Sequence, residues 1–143
     1  MTTCQTDLHR IIEAYGQRWN GHDLDGIMAM HTPDTMFRLH LLGMPEITGS
    51  DAVRAAFAGL LATWPDMQST TDQLTVGDGH YVYQYTISAS LAVPLPLGAI
   101  VVQPTGKVVQ FGAIDVFTMA GDLVQRKETY LDIAEALQQL GVL

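Results

Sequence analysis

The stretch "QFGAIDVFTMAGDLV", residues 110–124, decides how this chain reads. Its apolar and β-branched residues mark a strand buried in the interior, and Asp115 stands in the middle of that run. An ionised carboxylate in such a place is costly unless it is paired or protonated. The acid needs a reason to be there.

Outward from this strand the pattern is β for some sixty residues, with strands over 68–77, 80–92, 99–103, 107–118 and 123–131. Asp78-Gly79 and the "PTGK" of residues 104–107 mark tight hairpins. "VPLPLG", residues 93–98, is too rich in proline for a central strand and reads as an edge or a loop at a pocket mouth. Before the strands come helical spacings. Leu8, Ile11, Ile12, Tyr15 and Trp19 form one inward stripe from Thr6 that stops at Asn20-Gly21. A short second helix over Asp23–His31 carries Leu24, Ile27 and Met28 and is closed by Pro33. "DTMFRLHLL", residues 34–42, reads as a strand. Ser50 is a good cap for a third helix with Asp51 in its first turn, Val53, Phe57, Leu60, Leu61 and Trp64 inward, and Pro65 at its end. Asp132, with Glu135 three residues on and Gly141 beyond, brackets a closing helix.

This order predicts an α+β fold in one domain, residues 1–143. A strongly bent antiparallel sheet forms a cone-shaped α+β barrel, and the N-terminal helices cover its concave face because a one-sided sheet cannot leave that face wet. The cone encloses a pocket for a small ligand.

Composition narrows the partners. The 143 residues hold seven Lys plus Arg against fifteen Asp plus Glu, a formal charge of −8. Such a field repels nucleic acid and anionic lipid, so neither is an expected partner. Cys4 is the only cysteine, which excludes an intramolecular disulfide and a cysteine zinc cage and suits a reducing compartment, the cytoplasm. No basic and apolar leader and no membrane-length apolar run is visible, so a soluble, unprocessed protein is expected. With 48 % hydrophobic and 15 % charged residues, apolar surface is left over for a pocket or a homodimer interface. No His/Asp/Glu set shows metal-ligand spacing, so no metal or cofactor is expected.

"IIEAYGQRWNGHDLDGIMAMHTPDT", "GSDAVRAAFAGLL", "AIDVFTMAGDLV" and "KETYLDIAEALQQLG" together resemble the superfamily of nuclear transport factor 2, ketosteroid isomerase and the SnoaL-like polyketide cyclases. The resemblance covers nearly the whole chain. It implies the fold strongly and the chemistry weakly, since one scaffold serves isomerases, cyclases, epoxide hydrolases and binding modules. It places Tyr15 where the isomerase has its enolate-stabilising tyrosine. Asp115, in Ile114-Asp115-Val116-Phe117, falls where that enzyme keeps a protonated aspartic acid as second donor. At the position of the catalytic base it places Leu39, with His40 adjacent. His40 becomes the candidate base if a bulge turns it inward. The epoxide hydrolase triad falls on Thr86, Ser88 and Thr129, none of which can replace it, so that activity is disfavoured.

The resemblance therefore implies a cofactor-free enzyme that transfers a proton through a stabilised enolate on an apolar carbonyl compound, steroid-like or polyketide-derived. The catalytic candidates are Tyr15, Asp115 and His40. Substrate-contact candidates are Trp19, Arg38, Phe57, Trp64, Thr86, Ser88 and Thr129. Plainer readings stand beside these. Asp115 also suits a structural acid, Tyr15 a core tyrosine, His40 a partly exposed histidine and Arg38 a surface ion pair, while His31 reads as packing. A pocket that binds without turnover is the alternative function. If Thr86 and Ser88 face the cavity, then Tyr81, Tyr83 and Tyr85 lie on the outer face, where aromatic residues suit a subunit interface.

Overall fold

The computed structural model describes residues 5–143, so Cys4 lies outside the described residues. Three helices, α1 (Gln5–Asn20), α2 (Leu24–Ala29) and α3 (Ser50–Thr63), are interleaved with β1 (His31–His40) and β2 (Ile47–Thr48). Then follow β3 (Gln68–Val76), β4 (His80–Ser90), β5 (Leu95–Leu97), β6 (Ile100–Val102), β7 (Val108–Ala120), β8 (Leu123–Leu131) and the closing α4 (Ile133–Gln139). Six strands form one strongly curved sheet in the order β2-β1-β8-β7-β4-β3, and the N-terminal helices accompany it. Among the described residues no helix is long and apolar enough to cross a membrane.

The expected cone-shaped α+β architecture forms, with its sheet left open. One expectation needs correction, since the sheet is not wholly antiparallel: β1 runs parallel to β8, with Phe37 opposite Lys127 and Leu39 opposite Thr129. A parallel pair requires a long crossover, and the whole chain from β2 to β7 supplies it. The proline-rich segment stays out of the main sheet as expected, since β5 pairs only with β6 in a separate two-stranded ribbon.

Local chemistry sets several boundaries. α2 stops at Ala29 and Pro33 lies inside β1, within the stretch where the pairing register with β8 slips between His31 and Met36. A residue without an N–H is tolerated at such an irregularity. Ser50 is the first helical residue of α3; the cap position belongs to Gly49, whose φ of 95° favours glycine, and no side chain caps that helix. Asp132 does cap α4, accepting from the Glu135 N–H at 3.2 Å, and Gly141 beyond the helix adopts φ 78°.

β7 shows the alternation that governs the interior. Val109, Phe111, Ala113, Asp115, Phe117 and Met119 are buried, and the residues between them are partly or fully exposed. Residues directly opposite on neighbouring strands share a face. β4 places Tyr81 opposite Phe117, Tyr83 opposite Asp115 and Tyr85 opposite Ala113, so all three tyrosines turn to the concave side. This reverses the expectation for β4. Thr86 and Ser88 look outward, the Thr86 hydroxyl donating to Asp72 at 2.7 Å, and the tyrosines are not available for an outer subunit interface. Over the concave face lie Leu8, Ile12 and Tyr15 of α1 and Val53 and Phe57 of α3, all buried. A fully buried side chain such as Phe57 contributes roughly 1.5–3 kcal/mol through the water it sheds.

Candidate functional site

The sheet register builds the site in rows. Phe37, Lys127, Phe117 and Tyr81 lie side by side across four strands, and the next row is Leu39, Thr129, Asp115 and Tyr83. Asp115 therefore has Thr129 directly beside it and Lys127 and Tyr85 as diagonal neighbours, within reach of long side chains. All three meet it. The Thr129 hydroxyl donates to Asp115 Oδ1 at 2.7 Å, the Tyr85 hydroxyl donates to the same oxygen at 3.0 Å, and Lys127 Nζ lies 3.4 Å from Oδ2. This answers the question raised by the buried acid. Asp115 accepts from two hydroxyls on one oxygen and meets Lys127 with the other.

Lys127 is almost completely buried, among aromatic rings. Its Nζ lies 4.4 Å from the centre of the Trp19 ring and 5.3–5.4 Å from those of Tyr15, Phe57 and Phe117. These rings stabilise a cation but accept no proton. Burial lowers the Lys127 pKa, and the Asp115 charge opposes the shift.

A second polar chain approaches from the helices. The Tyr15 oxygen lies 2.8 Å from His31 Nε2, and His31 Nδ1 lies 2.8 Å from Thr35 Oγ1. The register slip in β1 is what sets the His31 and Thr35 side chains against each other. Burial, with the Lys127 charge second, pushes the His31 pKa down to about 3, so the imidazole is neutral. Three donors serve these two contacts, so one hydroxyl proton is left over in either tautomer: that of Thr35 when Tyr15 donates to Nε2, and that of Tyr15 when Nε2–H donates to the Tyr15 oxygen. In the second arrangement the Tyr15 hydroxyl proton is free for the cavity. Burial raises the Tyr15 pKa; the Asp115 charge adds to this and the adjacent Trp19 indole opposes it, although that N–H makes no well-formed hydrogen bond.

These groups border a cavity of about 800 Å³, the solvent at its mouth included, walled mainly by aromatic and aliphatic side chains. Of the residues expected from sequence, Tyr15, Asp115, Trp19, Trp64 and Thr129 line it. Phe57 does not; it packs behind, edge-on to Trp19 and His31. His40, Arg38, Thr86 and Ser88 do not line it either. Strand alternation turns Leu39 inward and His40 outward, where His40 bonds Glu128 at 3.0 Å and stacks on Tyr130. His40 is thus removed from the base position, and Arg38 is exposed on the same side. The cavity also holds residues that the sequence reading left out of the site: Lys127, Tyr81 and Tyr85. Thr129 pointed to Lys127, two residues earlier on the same strand and so on the same face. The Tyr81 hydroxyl and the Trp19 indole N–H are buried with no partner among the described residues.

The fold recurs in solved structures. The chain is similar to a protein from Jannaschia sp. CCS1 described as a SnoaL-like polyketide cyclase (18 % identity, TM-score 0.80, 96 % of this chain and 94 % of that one). It is also similar to TsrD from Streptomyces laurentii (22 %, 0.77, 99 % of each chain). A third is a Catenulispora acidiphila protein of ketosteroid isomerase-like fold, solved with trimethylamine (13 %, 0.75, 93 % of each chain). Identities this low establish the fold alone. No curated protein matches the chain in sequence. The SnoaL-like domain model matches residues 12–127, so the chain belongs to the SnoaL-like domain family.

Proposed function

We propose that this protein is a cofactor-free enzyme that moves a proton on the carbon beside a carbonyl group of an apolar, ring-bearing compound, steroid-like or polyketide-derived. One observation supports this most: a buried carboxylate and a buried ammonium, 3.4 Å apart, border an aromatic cavity that also receives the Tyr15 hydroxyl. In this reading Asp115 Oδ2 takes the α-proton. Its other oxygen is held by Thr129 and Tyr85. The Tyr15 hydroxyl and Lys127 face the oxygen on which charge develops, and each preorganised donor of this kind contributes about 10²–10³ in rate. This reading takes His31 as the Nε2–H tautomer, which leaves the Tyr15 proton free to turn inward.

The test is deuterium uptake at the α-carbon of apolar cyclic ketones in D₂O, followed by NMR. The wild-type protein is expected to catalyse it, and Tyr15→Phe to slow it about a hundredfold. A second reading, a binding module without turnover, draws support from the saturation of Asp115 by three donors, which also suits a purely structural cluster. Ligand uptake without exchange for any ketone tried would favour it. Failure of both uptake and exchange would refute both readings.

A further inference from the structure

Lys127 has a property that the proton-transfer reading does not use. The chain has two lysines. Lys107 is exposed, its Nζ donating to the Gln139 carbonyl at 3.3 Å. Lys127 is buried, and its cavity opens to solvent. An ammonium has three N–H donors to satisfy. Asp115 Oδ2, at 3.4 Å, lies beyond the roughly 2.7–2.9 Å of a strong charge-assisted bond, and the other near neighbours are the faces of Trp19, Tyr15, Phe57 and Phe117. The ammonium is therefore held by one long contact, and its partner there is a carboxylate able to take a proton.

We propose that Lys127 is a carbonyl-condensing amine, which forms an iminium with an aldehyde or unhindered ketone held in the aromatic cavity while Asp115 carries the protons. The Lys127 ammonium passes one proton to Asp115 Oδ2, and the Nζ lone pair attacks the carbonyl carbon. An N–C bond forms, the C=O π pair moves to oxygen, and a proton shifts from nitrogen to that oxygen. Asp115 then returns its proton to the carbinolamine hydroxyl, the C–O bond breaks and water leaves. The sum is ammonium plus carbonyl giving iminium plus water, with Asp115 ionised again. Desolvated lysines in apolar pockets are suited to this chemistry because the uncharged amine is the nucleophile. The lowered pKa of Lys127 is consistent with it.

The substrate class follows. Aldehydes and ketones form such an adduct, and carboxylic acids, esters and amides do not. Where the proton-transfer reading holds, the iminium deepens it by making the α-proton more acidic than in the free ketone. The condensation itself does not depend on that reading, since it needs neither Tyr15 nor an α-proton.

Benzaldehyde has no α-hydrogen and so probes the condensation separately. The full chain, incubated with benzaldehyde and sodium cyanoborohydride near neutral pH and mapped by peptide mass spectrometry, is expected to carry the reduced adduct on Lys127. Labelling there should exceed that of Lys107, because burial lowers the Lys127 pKa and leaves more of its amine uncharged. Lys127→Met should abolish that label and leave Lys107 unchanged. Asp115→Asn should slow labelling of Lys127 only, and an unaltered rate would refute the proton-carrying part. Labelling of Lys107 with Lys127 untouched, in the wild-type protein itself, would overturn the proposal whatever the variants do.

Discussion

Replacing Lys127 by Met while Asp115 remains leaves a carboxylate buried without its counter-ion. The two side chains are only 6 % and 4 % exposed and their charged atoms lie 3.4 Å apart. At an effective dielectric of about 20 the Coulomb attraction at that distance is about 5 kcal/mol, before the cost of desolvating either ion. Two features limit the loss in the variant. Asp115 keeps its hydroxyl donors, Thr129 and Tyr85, and it can escape its isolation by taking up a proton. A destabilisation of about 3 kcal/mol is expected, at the lower end of the range for breaking a buried pair, and in a chain of this size it lowers Tm by roughly 10 °C. Asp115→Asn should cost a similar amount, since it strands the ammonium. The double variant should cost only about 1 kcal/mol, because the asparagine oxygen still accepts from both hydroxyls and no buried charge remains. Urea denaturation followed by Trp19 and Trp64 fluorescence measures all three. A Lys127→Met protein within about 1 kcal/mol of wild type, or a double variant as unstable as the sum of the single ones, would refute the coupling.

Other consequences follow from the same neighbourhood. His31, with a folded pKa of about 3 against an ordinary 6.5, stays neutral while the unfolded chain takes up a proton below pH 6.5. Its contribution to stability therefore falls as pH drops from 6.5 towards 3, by about 2 kcal/mol at pH 5, and His31→Gln should flatten that part of a stability–pH curve. Tyr15→Phe leaves the buried His31 Nε2 without its hydrogen-bond partner and should cost about 1–3 kcal/mol in urea denaturation. Tyr81→Phe removes a buried hydroxyl that has no partner, so stability should stay level or rise slightly, and a fall of more than about 1 kcal/mol would show that the hydroxyl is bonded. His40→Ala, on the convex side, should leave α-proton exchange unchanged.

The sequence disclosed which residues share a strand face more readily than which face is concave. The alternation along β7 put Asp115 in register with Phe111 and Phe117, and the apolar stripe of α1 turned Tyr15 inward, because burial writes itself directly into such spacings. β4 alternates just as clearly, yet tyrosine suits an interface as well as a pocket wall, and only its pairing with β7 decides between them. The parallel joining of β1 to β8 links residues about ninety positions apart and leaves no local trace. Lys127 escaped notice because "QRKETY" reads as a charged, solvated strand. It had been fixed, though, by the inward assignment of Thr129, two residues on. His31 reads as packing because its role depends on a register slip in β1 that Pro33 marks only as an irregularity, without showing which side chains it brings together.

The central claim is that the Asp115 carboxylate does chemistry in this cavity as well as holding it together. The most direct test compares α-proton exchange of a bound apolar ketone in D₂O between wild type and the Lys127→Met/Asp115→Asn double variant, which should remain folded. Exchange is expected in the wild type and should vanish in the double variant while ligand uptake persists. Undiminished exchange in the double variant, or none in the wild type with ketones it binds, would contradict the account.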